Sequence, residues 1–276
     1  MPPADQLFDR KLARLRRERA LRSGRDASFL HRRAAEELLE RLDLVARPFA
    51  TALDLGERDS YLADRLRARG LEVVSCDEDG LAGAGGPFDL AVSVGTLDMV
   101  NDLPGALVQI RRALKPDGLF LAACAGAGSL PRLRRAMRAG EEAQCAGAAP
   151  RLHPQIDVRA AGDLLVRAGF ALPVVDRELI VVRYPSLAAL VGDLRAMGAT
   201  NRLAGQSAPP FGRVALAAAA ADFAADAGPD GKTAERFEIL HLSGWAPGPG
   251  QPQPARRGSA DASLADALRR RGDSAQ

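Results

Sequence analysis

Few residues of this chain combine a reactive type with a telling position. Thr51-Ala52-Leu53-Asp54-Leu55-Gly56 reads as a strand that closes on an acid and a glycine. Glycine at such a point lets the backbone bend and approach a ligand where a Cβ would clash. Glu57-Arg58-Asp59-Ser60 follows. Asp59 can cap the next helix, Ser60 to Arg69, by accepting a hydrogen bond from a free backbone N–H. A carboxylate there sits at the positive helix end and repels an anionic ligand group. Two readings stay open: a loop that holds a cofactor through Asp54, Gly56 and backbone atoms, or a capped strand-turn-helix without a ligand. Asp77-Glu78-Asp79 is a second acidic set, either ligand-facing or a solvated loop before glycines. Asp98 is either a polar group in the cleft or a loop acid, and the latter is preferred. His153 stands without a partner motif, which favours a structural role over catalysis. Cys76, Cys124 and Cys145 have neither metal-ligand spacing nor an even count, so no metal site is expected. No residue is assigned as catalytic.

The elements that must position these residues are clearest from Phe88 to Cys124. Phe88 to Val94 is an apolar run that suits a strand buried on both faces. Asp102 and Pro104 fit a helix start, and Leu107, Ile110 and Leu114 give that helix an apolar face. Lys115-Pro116-Asp117-Gly118 stops the helix, with the glycine expected to take positive φ. Leu119 to Cys124 is then a second buried strand, joined by a right-handed crossover. Earlier, residues 5–46 read as two helices broken at Ser23-Gly24. The first is arginine-rich and packs Leu12 and Leu15; the second buries Phe29, Leu30, Leu38, Leu39 and Leu42. Later, helices are expected over Val158 to Ala168, Leu187 to Met197 and Leu216 to Ala227. Ala171 to Tyr184 is a strand pair or one bent strand, with Pro173 at an edge or bulge. Arg236 to Leu242 is the last strand, with Trp245 anchoring its end.

FDLAVS, NDLPGAL and RRALKPDGLFLAA resemble the second half of a class I S-adenosylmethionine-dependent methyltransferase. The resemblance implies a Rossmann-like α/β fold, a mostly parallel sheet with helices on both faces. It implies S-adenosyl-L-methionine as cofactor, held by Asp54, Leu55, Gly56, Glu57, Asp77, Glu78, Ser93, Val94 and Gly95. The chain departs from the family in the glycine loop, LDLGERDS in place of LDLGxGxG, which weakens the cofactor site. Only Asp77 to Pro87 separates the second strand from the strand at Phe88, so one βα unit is expected to be missing. Asp77-Glu78-Asp79 then matches either the ribose-binding end of the second strand or the acidic segment before the fourth. The spacing to Phe88 favours the second register. Relatives carry a His-Trp pair at Asp98-Met99, so an aromatic cofactor wall is missing here.

The FDR start, VNDLPGAL, LRAMGATN and FEILHLSGWAP resemble the bacterial and mitochondrial group that includes the methyltransferase-fold assembly factor of respiratory complex I. A weaker resemblance is to the malonyl carrier-protein methyltransferases. The group implies a protein substrate or a respiratory complex subunit as partner. It also admits arginine hydroxylation in place of methyl transfer, and a third outcome is a catalytically degenerate scaffolding factor.

Composition narrows the rest. The chain has 276 residues, 47% hydrophobic and 26% charged, enough for one large domain with additions. A net charge of +3 gives no global field for nucleic acid. No apolar run reaches the ~20 residues of a membrane span, although the basic first helix could touch a membrane surface. No secretory signal is read, and cysteines that read as small buried hydrophobes at strand ends, Cys76 and Cys124, suit the reducing cytoplasm. The expected organisation is an N-terminal helical extension over 1–46, a methyltransferase-like domain over 47–247 and a flexible tail over 248–276. Leu264 to Arg271 is too short to hold a helix alone.

Overall fold

The computed structural model describes residues 6–22, 27–56, 60–77, 79–144, 150–205, 209–251 and 263. Six strands form one sheet: β1 (Thr51–Leu55), β2 (Glu72–Cys76), β3 (Phe88–Val94), β4 (Leu114–Ala125), β5 (Ala171–Tyr184) and β6 (Thr233–Trp245), in the order β2-β1-β3-β4-β6-β5. The first four strands pair in parallel and the last two join antiparallel. β1, β3 and β4 occupy the middle because their runs are apolar on both faces and can be buried twice over.

Helices cover both faces. On one, α4 (Leu103–Ala113) and α6 (Val158–Ala168) bring Leu107, Ile110 and Leu165 against Phe120 and Leu240. On the other, α2 (Phe29–Asp43) and α3 (Tyr61–Ala68) bring Leu38, Leu39, Leu62 and Leu66 against Leu90 and Leu121. A third core unites α5 (Pro131–Gln144), α7 (Leu187–Ala196) and α8 (Arg213–Ala224) around Leu133, Leu190, Phe223 and Phe237. The expected caps operate: Asp102 accepts the Gly105 N–H at the start of α4, and Gly169 closes α6 at φ 84°.

The connector from β2 to β3 holds only a single 3₁₀ turn, Leu81–Gly83. One βα unit is therefore absent, as the spacing implied, and β2 is left at the edge of the sheet. Four expectations need correction. Phe29 is exposed, because the buried stripe of α2 runs through Leu30, Ala34, Leu38 and Leu42. α1 (Arg10–Arg22) buries no residue, with Leu12 half-buried and Leu15 exposed. In the Lys115–Gly118 turn Asp117, not the glycine, takes the left-handed conformation (φ 61°). Gly118 is needed for space, since a Cβ there would lie 2.9 Å from the Lys115 carbonyl oxygen. Finally, β6 is longer than its apolar pattern, because its first residues, Thr233, Ala234 and Glu235, pair with the last of β5, Tyr184, Arg183 and Val182. Pro173 falls at the register shift of β5, as expected of a strand proline. Ser23-Gly24, Cys145, the linker beyond Gln251 and Leu264–Arg271 lie outside the described residues.

Candidate functional site

The carboxyl ends of β1, β2 and β3 open into a cleft, the position where open α/β sheets bind ligands. Gly56 leaves β1 at φ 114° and donates its N–H to the Cys76 carbonyl at 2.8 Å. Gly95 leaves β3 at φ 65° and donates to the Ala123 carbonyl at 2.8 Å. Gly56, Gly95, Asp77 and Asp79 line the cleft with Thr96, Met99 and Val100. The other expected site residues sort differently. Asp54 is buried and accepts from the Ser75 hydroxyl at 3.5 Å. Leu55 belongs to the core. Ser93 is fully buried and donates to the Leu55 carbonyl at 2.9 Å. Val94 faces a second cavity. Glu57, Glu78 and the capping candidate Asp59 lie outside the described residues.

The register preferred for Asp77 is overturned. Leu55 pairs with Cys76, so Asp77 is the first residue beyond β2 and stands beside the end of β1. It occupies the strand-end position, not the segment preceding a later strand.

The N-terminal segment roofs the cleft. Phe8 is buried, and Asn101 clamps it by accepting its N–H at 2.7 Å and donating to its carbonyl at 3.1 Å. Asp9 receives the Leu12 N–H at 3.0 Å, and Arg10 pairs with Asp79. Arg10, Arg14 and Arg17 of α1 then line the cleft together with Arg202. Burial pulls the Arg202 guanidinium down to about 10, and its Nη2 donates to the Gly198 carbonyl. The family resemblance implied that N-terminal helices cover such a cleft, whereas the contacts of Phe8, Asn101 and Arg202 were not legible in the sequence.

The charged groups that line the cleft match those of an S-adenosylmethionine-like ligand in kind. Asp77 presents a carboxylate suited to a vicinal diol, and the arginines of α1 suit a carboxylate. The glycine turns are tighter. A Cβ at Gly56 would lie 1.8 Å from Thr96 Oγ1, and one at Gly95 would lie 2.6 Å from the His31 ring. Thr96 and His31 thus fill the space that the two glycines leave.

A second, mostly apolar chamber adjoins the first and shares Gly95 and Met99 with it. It encloses about 710 Å³ of space, counted out to solvent, behind walls that include Ala34, Leu130, Leu194, Phe237 and Ile239. Asp98 and His153 both line it, with His153 Nε2 3.7 Å from Asp98 Oδ2. The sequence left one as a loop acid and the other as a lone histidine; the fold brings them together. Phe8 packs against the pair, its ring meeting the His153 ring edge-on at 5.6 Å. Glu238, another lining residue, accepts the Gly128 N–H at 3.0 Å. Among the described residues no group of three His, Cys, Asp or Glu side chains is placed to hold a metal ion. Nor is any helix long and apolar enough to cross a membrane.

Residues 27–172 match the methyltransferase-domain family. The chain is 33% identical over 94% of its length to the mitochondrial arginine-hydroxylase NDUFAF5 of Danio rerio, covering 89% of that protein. It is likewise 33% identical to the human NDUFAF5, over 96% of this chain and 84% of the relative. It is 30% identical to the malonyl-[acyl-carrier protein] O-methyltransferase of Laribacter hongkongensis, over 87% of this chain and 90% of that one.

Proposed function

The chain belongs to the methyltransferase-domain family, and from that premise we propose that it uses S-adenosylmethionine to modify a side chain of a protein partner, in the assembly of respiratory complex I. The observation that carries this reading is the shared wall at Gly95 and Met99, which sets a polar cofactor-sized cleft directly against an apolar acceptor-sized chamber. Asp77 would hold the ribose hydroxyls, Gly56 and Gly95 the close backbone approach, and Arg14 and Arg17 the methionine carboxylate. Asp54, Leu55, Ser93 and Val94 would support these from behind. When bound, S-adenosylmethionine supplies an electrophilic methyl group. The chain's own task is then positioning, which by itself can lower a barrier by several kcal/mol (~7–11). The named reactions of the relatives differ, hydroxylation in one case and O-methylation in another, so membership alone does not fix the chemistry. The buried thiol of Cys124 supports a reducing compartment, the cytoplasm, as the place of action.

A second reading is a scaffolding factor that has lost the cofactor. It is favoured by Thr96 and His31, which fill the space beside the two glycines. Calorimetric titration with S-adenosylmethionine separates the two. Micromolar binding that disappears in a folded Gly56→Arg variant supports the enzyme. No heat at millimolar ligand, in the wild type and in Thr96→Ala alike, overturns it and leaves the scaffold.

A further inference from the structure

β5 is the outermost strand of the sheet and pairs on one side, with β6. Among the described residues, no backbone group of residues 174–183 bonds to any other element. Such an edge presents a row of open N–H and C=O groups, which proteins ordinarily guard with prolines, bulges or free charges. Here the guards stand at one end or are already engaged. Pro173 and the register shift lie before Val174, and from there the pairing runs regularly to Tyr184. Each charged side chain of that stretch meets an opposite charge of its own chain: Asp176 meets Arg41, Arg177 meets Glu238, Glu178 meets Arg33 and Arg183 meets Asp230. Leu179, Ile180, Val181 and Val182 form an uncharged run between them. Ile180 and Val182 pack inward on the third core. Leu179 and Val181 point to the opposite face, 48% and 61% exposed. The core under α6 takes in Val175 of that face and leaves Leu179 and Val181 outside.

We propose that the outer edge of β5 pairs antiparallel with β5 of a second copy of this chain, about a two-fold axis at Leu179, so that two sheets become one. The charge pattern selects both the occupant and the register. With Leu179 on the axis, the whole of Val174–Tyr184 pairs and Leu179 meets its own copy. Every charged residue then falls opposite an apolar one: Asp176 opposite Val182, Arg177 opposite Val181, Glu178 opposite Ile180 and Arg183 opposite Val175. An axis at Ile180 would set Arg177 against Arg183, and one at Glu178 would set that acid against itself. An axis at Val181 would leave only Glu178–Tyr184 paired. In the register at Leu179 the aliphatic stem of Arg177 covers Val181 of the other copy, and about ten backbone hydrogen bonds close the edge.

Sedimentation equilibrium of the full chain is expected to show a dimer at micromolar concentration. Hydrogen exchange over residues 174–184 should slow as the concentration rises. Val181→Lys places a lysine opposite Arg177 across the axis, and should raise the dissociation constant at least about tenfold with the circular dichroism spectrum unchanged. Leu179→Cys should form a covalent dimer under mild oxidation faster than Val181→Cys and faster than the wild type, whose own cysteines set the background. A wild type that stays monomeric at hundreds of micromolar overturns the proposal and leaves the edge to an extended segment of another protein. A dimer that keeps its affinity in folded Val181→Lys and Leu179→Lys overturns it too. Preferential cross-linking of Val181→Cys overturns the register, because the axis then lies elsewhere.

Discussion

The Lys115 ammonium stands 2.8 Å from Asp89 Oδ1, between the starts of the paired strands β4 and β3. The other oxygen, Oδ2, accepts the N–H groups of Ala50 and Thr51, at 3.1 and 3.0 Å, and the Thr51 hydroxyl at 3.0 Å. One half-buried carboxylate thus ties the starts of β1, β3 and β4, and two family-typical features, the acid after Phe88 and the lysine before Pro116, are its ends. Although burial opposes it, the lysine and these donors hold the carboxyl down at about 2, from an ordinary 3.8.

That depression predicts an acid transition. The unfolded chain takes up the proton first as pH falls below 3.8, so the stability from Asp89 is full above that value and is lost toward about 2. Asp89→Asn is expected to cost about 2 kcal/mol at neutral pH. Denaturant melts of both proteins from pH 7 to pH 2 should converge at the acid end; parallel curves would rule the tie out.

His241 predicts a transition at higher pH. It is 1% exposed on β6, with Nε2 3.4 Å from Glu178 Oε2, and Arg41 also acts on it. Burial and Arg41 lower its pKa from 6.5, against the raising effects of Glu178 and Glu37. The unfolded chain therefore protonates first below 6.5, and stability declines as the solution is acidified through that region. Arg33 and Asp176 frame the same cluster by pairing with Glu178 and Arg41. His241→Gln should flatten the wild-type slope of thermal midpoint against pH between about 6.5 and 5; an unchanged slope assigns it elsewhere.

Glu235 predicts a loss of stability without a pH signature of its own being needed. It is fully buried, and its carboxylate accepts the N–H groups of Leu133 at 2.7 Å and Arg132 at 3.3 Å in the first turn of α5. Glu235→Ala orphans both donors and should cost about 3 kcal/mol. Glu235→Gln, which keeps one carbonyl oxygen, should cost less; urea unfolding midpoints give the ranking.

Asn101→Ala is expected to release the roof while sparing the core. Hydrogen exchange over residues 6–22 should accelerate, because the two bonds to Phe8 are lost, while β3 and β4 keep their protection. If the arginines of α1 help to hold the cofactor, its affinity should fall in the same variant.

The central strands were legible because their apolar runs are continuous, and the short connector after Asp77 announced the missing unit through length alone. The order of the sheet settled what length left open, since only the pairing of Leu55 with Cys76 places Asp77 beside the cleft. The site was harder to read for the same reason. Asp98 and His153 lie on loops far apart in the chain, and neither carries a spacing that foretells the other. Thr96 and His31 became informative only through the positions of the glycines they cover. The arginine stripe on α1 was visible, but its direction was not, because that helix buries nothing and its hydrophobic residues do not orient it.

The insertion of β6 between β4 and β5 bears on how the chain is made. As the nascent polypeptide emerges, β1 to β4 can pair as they arrive, whereas β5 pairs with β6 alone and must wait for it. Until Trp245 has left the ribosome, the outer edge of β4, with Leu119 to Cys124 all buried in the finished protein, stays unpaired. Synthesis therefore passes through an interval with an apolar strand edge open to other chains, when a holding chaperone would raise the yield most.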